Sequence, residues 1–567
     1  MNNANTSERN PSVASAWSES KEKPQGDLHD SSNSVADAQK AEHAGEQQDN
    51  GDAILRQGWV CGGKHLETLK QDGAGADLDG PLTEVDIDMP LTRTVLLMHD
   101  GKEFIELKYA PGDTENPFKW PKFKRGFISA LLNLMTLFIG LATTAYSSGI
   151  GKMVTELNCG TEMGQLGLFT FNIACAIAPM FLAPFCEMAG RKVVYVGGFF
   201  GFCLCFIGLA LGKNIATIIV LRTILGLFGC IGTILVGGTF SDMYEPEERD
   251  KPMAMFSWIA ILGTVGAPIY AGFIDMKIGW RWIEGIQGLA NVPLLIIIVL
   301  FFKETRGGVF LKKRAAALRK ATGDERYSCA MEFASPDIKT MLKNSSVKAI
   351  EMLVTEGVVF AFGLWIAFSW FIVFLFLSVI PITFEDKHHW NEGVAGLPYI
   401  SLALGCTFGW IANNFLQIRK YNRLRQDPNH KIVPEDRLYG AMWGAPCLPI
   451  GLFIYSFTQY AYLVWVGPVI ALAIISFGIF FIFESTYSYT ADCYGESSSS
   501  AIAAQGLMRN SLGAVSPLFA SQFFKNVGSQ YAGLILSLLT LLLTVIPYVF
   551  FKYGSVLRAK SKRCLVY

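Results

Sequence analysis

Long apolar stretches recur through most of this 567-residue chain, from Phe127 to near its C-terminal end. Each is about 20 residues long, which is the helix length that crosses roughly 30 Å of hydrocarbon at 1.5 Å per residue. The stretches are too long and too continuous for the strands of a membrane barrel, and only helices and closed barrels satisfy their backbone hydrogen bonds in lipid. The sequence therefore predicts an all-α, polytopic membrane protein.

Twelve membrane spans are predicted, in two sets of six separated by a polar stretch. They lie near residues 126–149, 164–185, 193–212, 216–239, 252–274, 283–302, 357–383, 393–416, 439–459, 462–487, 499–523 and 530–552. The predicted organisation is an N-terminal tail, a six-helix bundle, a central loop, a second six-helix bundle and a basic C-terminal tail. These segments cover residues 1–115, 116–302, 303–354, 355–552 and 553–567.

Lysine and arginine residues are distributed unevenly between the two sides of the predicted spans. If the N-terminus is cytosolic, the inward segments carry 30 of these residues and the outward loops carry six. Cytosolic loops of membrane proteins are enriched in positive charge. We therefore expect a multi-pass membrane protein with both termini and the central loop in the cytosol.

The charge of the chain separates into an acidic tail and a basic body. Acidic and basic residues number 48 each, so the net charge is zero, but residues 1–100 hold 18 acidic and 8 basic side chains. The neutral balance excludes a nucleic-acid binder driven by bulk basicity. The polar composition of residues 1–115 predicts a disordered cytosolic tail. Within it, Val85–Met98 could be a strand or a docking segment, and an unstructured tail is the favoured interpretation.

Several motifs resemble those of the fungal drug:proton antiporters, which are twelve-helix members of the major facilitator superfamily. The matching segments are Asn116–Pro121, Ala183–Lys192, Arg222 with Gly226, Gly263–Gly272, Gly279–Trp282, Glu304–Thr305, Leu311–Gly323, Pro434–Leu438, Tyr489–Tyr494 and Arg509 with Pro517–Phe519. The resemblance implies the major facilitator fold, with two pseudo-symmetric six-helix bundles. Leu311–Gly323 is expected to be an amphipathic helix on the membrane surface.

The resemblance also implies a function, which is secondary active export by proton antiport across the cell membrane. The expected substrates are hydrophobic or amphipathic small molecules such as drugs, toxins or secondary metabolites, including glycolipids. Two alternatives remain open: an exporter of polyamines or other organic cations, and a transporter-like sensor with little flux. The expected partners are the substrate, protons and the lipid bilayer, with no nucleic acid, and the protein is expected to be a monomer.

Two of the motifs predict moving or closely packed parts. The loop between spans two and three carries Glu187, Gly190, Arg191 and Lys192, where Gly190 permits a tight turn and Glu187 and Arg191 can exchange ion pairs as a gate. Lys192 stands where the family has a second arginine. In span five, the antiporter motif retains Gly263, Gly266, Pro268 and Gly272, which favour close helix packing and a bend.

Three charged residues inside predicted spans are candidates for proton coupling or cavity electrostatics: Arg222, Glu484 and Arg509. Charged groups in a membrane span are costly, so they face a partner or a cavity. For Arg222 the alternative is an interhelical tie to backbone carbonyls. Glu484 occupies a position that usually holds a neutral residue in the family. It could carry protons or recognise a cation, and the alternative is a carboxylic acid that only packs.

Aromatic side chains could line a substrate cavity, the candidates being Trp365, Trp370, Phe371 and Tyr487. No nucleotide-binding loop of the Walker type and no hydrolase motif is present, so the chain is expected to be neither an ATP-driven pump nor an enzyme. No cofactor and no metal are predicted. The energy source is then expected to be an ion gradient.

Overall fold

Twelve long helices dominate the computed structural model, which describes residues 53–73, 78–99, 102–233, 235–245, 248–333, 338–561 and 563–564. Each helix overlaps one predicted span, which confirms the twelve-span helical fold class. The helices are α1 Lys122–Glu156, α2 Thr161–Ala189, α3 Arg191–Leu211, α4 Ile215–Met243, α5 Asp250–Ile278, α6 Trp280–Phe301, α7 Gly357–Lys387, α8 Glu392–Gln426, α9 Pro434–Thr458, α10 Val466–Tyr494, α11 Ser498–Val527 and α12 Ser529–Ala559.

Helix α11 differs from the other eleven because it is less apolar. Eleven of the described helices are long and apolar enough to cross a membrane, and α11 is the twelfth long helix. Its polar side chains are buried between helices, as for Gln505, Arg509, Asn510 and Ser516. Polar groups in a membrane bundle face the interior because lipid cannot satisfy them.

The outer surface of the bundle is apolar over the spans. On α3, Phe200, Leu204, Ile207 and Leu211 are between 50% and 71% exposed and follow one another at intervals of three or four residues. Such spacing places side chains on one helix face. A continuous apolar face of this kind is costly in water, and a bilayer provides its natural solvent.

Helices α1–α6 and α7–α12 form two halves that meet along the middle of the molecule. Within the halves, α1 packs on α5 and α7 packs on α11; between them, α2 packs on α11 and α5 packs on α8. We call the end where α1 begins and α2 ends the sheet end, and the opposite end, where α1 leads into α2, the far end.

A five-stranded sheet lies at the sheet end. Its strands are β1 Ala53–Gly62, β2 Leu82–Val85, β3 Thr92–His99, β4 Lys102–Tyr109 and β5 Tyr327–Ser328, in the order β2-β1-β3-β4-β5. The central pairs are antiparallel and the two outer pairs are parallel. A short helix, Gly63–Gln71, follows β1.

The segment between the two halves supplies the cover of this sheet. It contains the linker helix Gly307–Thr322, the short helix Ala330–Phe333 and the helix Ile338–Thr355. Ala315 and Leu318 of the linker helix are fully buried against a core that includes Val60 and Leu107 of the sheet. The linker helix ends at Gly323, whose φ of +71° suits a residue without a side chain.

An ion-pair cluster fixes the linker helix to the chain just after the sheet. Arg314, only 5% exposed, donates to Asp113 Oδ2 at 2.7 Å, to Glu115 Oε2 at 3.0 Å and to the Thr92 hydroxyl at 2.9 Å. Burial alone would lower the pKa of Arg314, but the hydrogen bonds to Asp113 and Glu115 outweigh it and raise the pKa. The guanidinium therefore stays charged.

Two predictions for this region were wrong. The described residues between 53 and 115 are not a disordered tail, because their strands bury an apolar face against a helix that lies more than about 200 residues later in the chain. Residues 1–52, 74–77, 100 and 101 lie outside the described residues. The amphipathic segment Leu311–Gly323 does form a helix, but the sheet, not the membrane surface, covers its apolar face. The polar stretch 303–354 is thus largely ordered into helices and a strand.

Candidate functional site

A cavity lies between the two halves, near the middle of the helices. Both halves contribute to its wall. The described wall residues are Thr136, Gly140, Thr143, Phe171, Asn172, Cys175, Thr233, Ala260, Thr264, Trp370, Phe374, Arg509 and Asn510. Ligand sites in membrane transporters sit near the bilayer midplane, between repeated halves. This cavity is therefore the candidate binding site.

Arg509 of α11 is the charged side chain of this wall. Its Nη1 donates to the hydroxyl of Tyr487 at 2.8 Å, and its Nε donates to the Asn510 amide oxygen at 3.2 Å. The guanidinium carbon lies 4.9 Å from the centroid of the Trp370 ring. Both hydrogen-bond partners are neutral, so the positive charge of Arg509 is held by dipoles and an aromatic face.

The four predicted aromatic candidates occupy different places. Trp370 lies in the cavity wall, and Tyr487 lies beside it as a partner of Arg509. Trp365 is 1% exposed and packs edge-on against Phe362, and Phe371 stacks on a neighbouring ring of its own helix. Trp365 and Phe371 are thus outside the described wall, because they point to other faces of α7.

Arg222 of α4 is fully buried behind the cavity wall. It donates to the backbone oxygens of Ala142 at 3.1 Å and Thr143 at 2.9 Å, which ties α4 to α1. Its guanidinium carbon lies 4.3 Å from the ring centroid of Tyr146. The tie to backbone carbonyls, one of the two interpretations of Arg222, is therefore present in the structure.

Glu284 of α6 is a site residue that the motifs did not indicate. One carboxylate oxygen lies 3.9 Å from Nη1 of Arg222, and the side chain is 4% exposed. That oxygen, like Nε of Arg222, has no hydrogen-bond partner among the described residues. The pair is therefore close but incompletely satisfied. A signal was available, since Glu284 is a carboxylate inside a predicted membrane span.

Glu484 of α10 faces the other half of the molecule. It accepts a hydrogen bond from the Ser257 hydroxyl of α5 at 2.8 Å and one from the Ser488 hydroxyl at 3.1 Å. The residue is buried and does not belong to the described cavity wall. Its observed contact is thus a link between the halves.

The antiporter-like motif of α5 sits in a close helix contact. A Cβ on Gly263 would lie 2.9 Å from the backbone oxygen of Leu137 on α1, and a Cβ on Gly266 would lie 3.3 Å from Leu141. Pro268 begins the second segment of α5, where it needs no intrahelical donor. Gly272 faces the backbone of Glu392 from the other half. The small residues thus allow α5 to pack closely against α1 of its own half and against α8 of the other half.

The loop between α2 and α3 holds an ion-pair cluster at the sheet end. Gly190 has a φ of +96°, and Arg191 donates to Asp242 Oδ2 at 2.8 Å, while Arg306 donates to the other oxygen of Asp242. Glu304 accepts from the backbone nitrogens of Arg191 and Lys192, which caps the start of α3. Glu187 is half-buried. The ion-pair partner of Arg191 in this structure is Asp242, and the exchange of ion pairs by Glu187 and Arg191 stays a prediction.

Ion pairs and ring contacts close the sheet end between the halves. Arg437 at the start of α9 contacts Asp250 of α5, and its Nε donates to Asp492 of α10 at 2.6 Å. Trp258 of α5 stacks on Trp410 of α8 with ring centroids 4.8 Å apart. The two motifs that contain Arg437 and Asp492 therefore meet at one junction.

Contacts also close the far end. Lys152 of α1 lies 2.9 Å from a carboxylate oxygen of Glu392 on α8 and 3.6 Å from Asp275 of α5. A Cβ on Gly396 would lie 2.3 Å from the backbone oxygen of Pro268, so the two halves meet backbone to backbone. Contacts thus join the two halves at both ends of the cavity. Opening the cavity to either side requires one set of these contacts to break.

Comparison with known proteins gives related sequences and one related fold. The profile of the Major Facilitator Superfamily matches residues 132–517. The "Major facilitator superfamily multidrug transporter mdrA" of Aspergillus fumigatus is 29% identical over 486 residues, covering 86% of this chain and 79% of that protein. The "Major facilitator superfamily multidrug transporter FLU1" of Candida albicans is 30% identical over 462 residues, covering 80% and 75%.

Two further comparisons concern a metabolite cluster and a solved structure. The "Citrinin biosynthesis cluster MFS transporter mrr1" of Monascus ruber is 29% identical, covering 87% of this chain and 97% of that protein. The crystal structure of a bacterial homologue of the human lysosomal transporter Spinster superposes with a TM-score of 0.52 at 14% identity. The match covers 78% of this chain and 99% of the bacterial one. At that identity the likeness concerns the fold alone.

Proposed function

Because this chain belongs to the Major Facilitator Superfamily, a family of transporters and not of enzymes, we propose that it exports hydrophobic or amphipathic small molecules in exchange for protons. The observation that carries this proposal is the cavity between the halves, whose wall combines Phe171, Trp370 and Phe374 with polar threonine and asparagine side chains. A wall of this kind binds apolar bodies and orients them through a few polar groups. Relatives named as multidrug transporters support export as the direction.

The contacts at the two ends support an alternating-access mechanism. The sheet-end contacts of Arg437 and the far-end contacts of Lys152 each join the two halves around one cavity. Rocking of the halves would break one set while the other stays closed. The cavity then opens to one side of the membrane at a time.

The buried pair of Arg222 and Glu284 is the proposed proton-coupling element. In this mechanism the ionised carboxylate attracts Arg222, and a proton on the carboxylate removes that attraction. Arg222 also binds the backbone oxygen of Thr143, a wall residue, so its position is linked to the cavity. Protonation of Glu284 would therefore alter the helix α1 side of the binding site. Glu484 is the second carboxylate candidate, through its bond to Ser257.

Reconstituted transport tests the proposal. The full chain in proteoliposomes should move a neutral fluorescent amphipathic compound such as dansylamide when a pH gradient is imposed, and a protonophore should stop this movement. Glu284→Gln and Arg222→Gln should keep counterflow exchange but lose the response to the pH gradient. Glu103→Gln, on an exposed strand residue, is the matched control and should behave as the wild type. Gradient-driven transport at the wild-type rate in Glu284→Gln would exclude Glu284 as the coupling residue.

Two alternatives have different expectations. Export of polyamines or other organic cations would need an acidic wall, whereas Glu484 bonds to Ser257 outside it. A sensor with little flux would signal through its N-terminal region. Removal of residues 1–52 is the appropriate test, because a longer deletion would also remove β1. Lost signalling with undetectable flux in the intact protein would favour the sensor.

The proposed location is the cell membrane, with both termini in the cytosol and a monomer as the working unit. The distribution of lysine and arginine supports this orientation, since the sheet end carries most of them. Epitope tags at each terminus should then be stained only in permeabilised cells. Staining of the tags in intact cells would show that the termini lie outside the cell and would contradict this orientation.

A further inference from the structure

The cavity wall carries a positive charge without a negative one. Of the thirteen described wall residues, Arg509 is charged and the other twelve are neutral. The carboxylates of Glu284 and Glu484 lie outside the wall, where the first faces Arg222 and the second accepts hydrogen bonds from two serine hydroxyls. The site is therefore electropositive.

Arg509 has no counter-ion in the described part of the chain. Its hydrogen bonds go to the neutral groups of Tyr487 and Asn510, and its Nη2 makes no hydrogen bond to a described residue. The side chain is only 2% exposed. A buried charge is costly unless it is paired, and a guanidinium binds a carboxylate through two parallel hydrogen bonds. The free part of the guanidinium therefore suits an anionic group.

Aromatic rings adjoin this charge on the cavity side. Trp370, which lies under the guanidinium, and Phe374 belong to consecutive turns of α7, and Phe171 faces them from α2. A flat apolar body can pack on these rings while its charged end reaches Arg509. The geometry thus combines one cation with an apolar surface within one cavity.

We propose that the cavity selects amphipathic organic anions, in which a carboxylate binds Arg509 and an aromatic or aliphatic body packs against Trp370 and Phe374. The inference rests on the proposed function in that it uses the same cavity, and it narrows the substrate class from hydrophobic compounds in general to weak organic acids. It disfavours cations, because bringing a second positive charge beside Arg509 costs energy in a site of low dielectric constant.

Equilibrium binding tests the inference without any ion gradient. Three fluorescent probes share one ring system and differ in charge: dansylglycine is an anion, its methyl ester is neutral and dansylcadaverine is a cation. Their dissociation constants are measured on the purified full chain at one pH. The wild type should bind dansylglycine at least about tenfold more tightly than the ester, as expected for a charge-assisted hydrogen bond. Dansylcadaverine should bind most weakly.

Three variants test whether Arg509 causes the preference for the acid over the ester. Arg509→Gln should reduce the preference for the acid over the ester to within about twofold, and Arg509→Lys should retain part of it. Arg326→Gln removes an equal charge from an exposed pair with Asp324 and should leave the preference unchanged. If Arg509→Gln does not fold, the three probes on the wild type and on Arg509→Lys still decide the matter.

The possible outcomes separate this inference from the proposed function. Equal binding of acid and ester by the wild type, or tighter binding of dansylcadaverine, overturns the inference. An unchanged preference in Arg509→Gln overturns the assignment to Arg509. Selective binding of dansylglycine without gradient-driven movement supports anion selection while it contradicts proton antiport. Gradient-driven movement of the ester or the amine but not of the acid would support proton antiport and contradict anion selection.

Discussion

The hydroxyl of Ser257 donates a hydrogen bond of 2.8 Å to Glu484 and thereby joins α5 of the first half to α10 of the second. Both residues are buried. The bond lies on the same two helices as Asp250 and Asp492, which meet at Arg437. The sheet end is thus closed by a polar bond inside the bundle and by an ion pair at its rim.

The first prediction concerns this buried bond. Glu484→Ala should destabilise the protein by about 2 kcal/mol, because Ser257 loses its acceptor in an apolar setting. Glu484→Gln keeps an acceptor oxygen and should cost less than half as much. Thermal unfolding of the detergent-solubilised variants checks this. Equal midpoints for Ala and Gln would mean that the bond does not contribute to stability.

The second prediction concerns the contact between α5 and α1. Gly263→Ala should lower stability by about 1–3 kcal/mol, because a new methyl group would meet the backbone oxygen of Leu137 and the helices would have to separate. Gly197→Ala on α3 is the matched control, since its Cβ meets nothing within 4 Å. Thermal midpoints of both variants provide the measurement. A drop of equal size in both would show a general helix effect instead of a steric one.

The third prediction concerns the linker helix. Arg314→Ala should loosen it from the sheet, because Asp113 is left as a buried charge without its partner, at a cost of about 3–5 kcal/mol. Limited proteolysis should then cut between the sheet and α1 at lower protease concentration, while the membrane bundle stays intact. Arg326→Gln, which alters an exposed pair, should digest like the wild type. Identical digestion of Arg314→Ala would contradict the role of the cluster.

The fourth prediction concerns the far end. Cysteines placed at Lys152 and Glu392, joined by a short bis-methanethiosulfonate reagent, should arrest transport, because opening to the far side must separate these positions. Reduction of the disulfides that attach the reagent should restore transport. Each single-cysteine variant serves as a control for the reagent and for the lost ion pair. Undiminished transport after complete cross-linking would be incompatible with far-end opening.

The sequence was sufficient for the helices but not for the contacts between distant segments. The apolar runs predicted α1–α12 because helix length and hydropathy are local properties. The partner of Arg191 could not be read in this way, since Asp242 lies on another helix. The exclusion of Trp365 from the cavity could not be predicted from the sequence either, because the wall depends on how α7 is rotated against α11.

The sheet was not predicted, for the same reason. Strands β1, β3 and β4 have 8 to 10 residues each and mix apolar with polar side chains, and the burial of their apolar face depends on Leu318 of the linker helix. Glu284 differs from these cases, because a carboxylate in an apolar span is visible in the sequence. Only its position beside Arg222 needed the structure.

The five-stranded sheet also imposes an order on biosynthesis. Strand β4 pairs with β5 through Ile105 and Tyr327, so the last strand emerges from the ribosome only after α1–α6 have been made. Until then the face of β1 and β4 that Leu318 covers is open to the surroundings. Such long-range closure is slow and leaves apolar surface exposed in the interval. The first half of the bundle is therefore synthesised before the residues that cover the apolar face of the sheet.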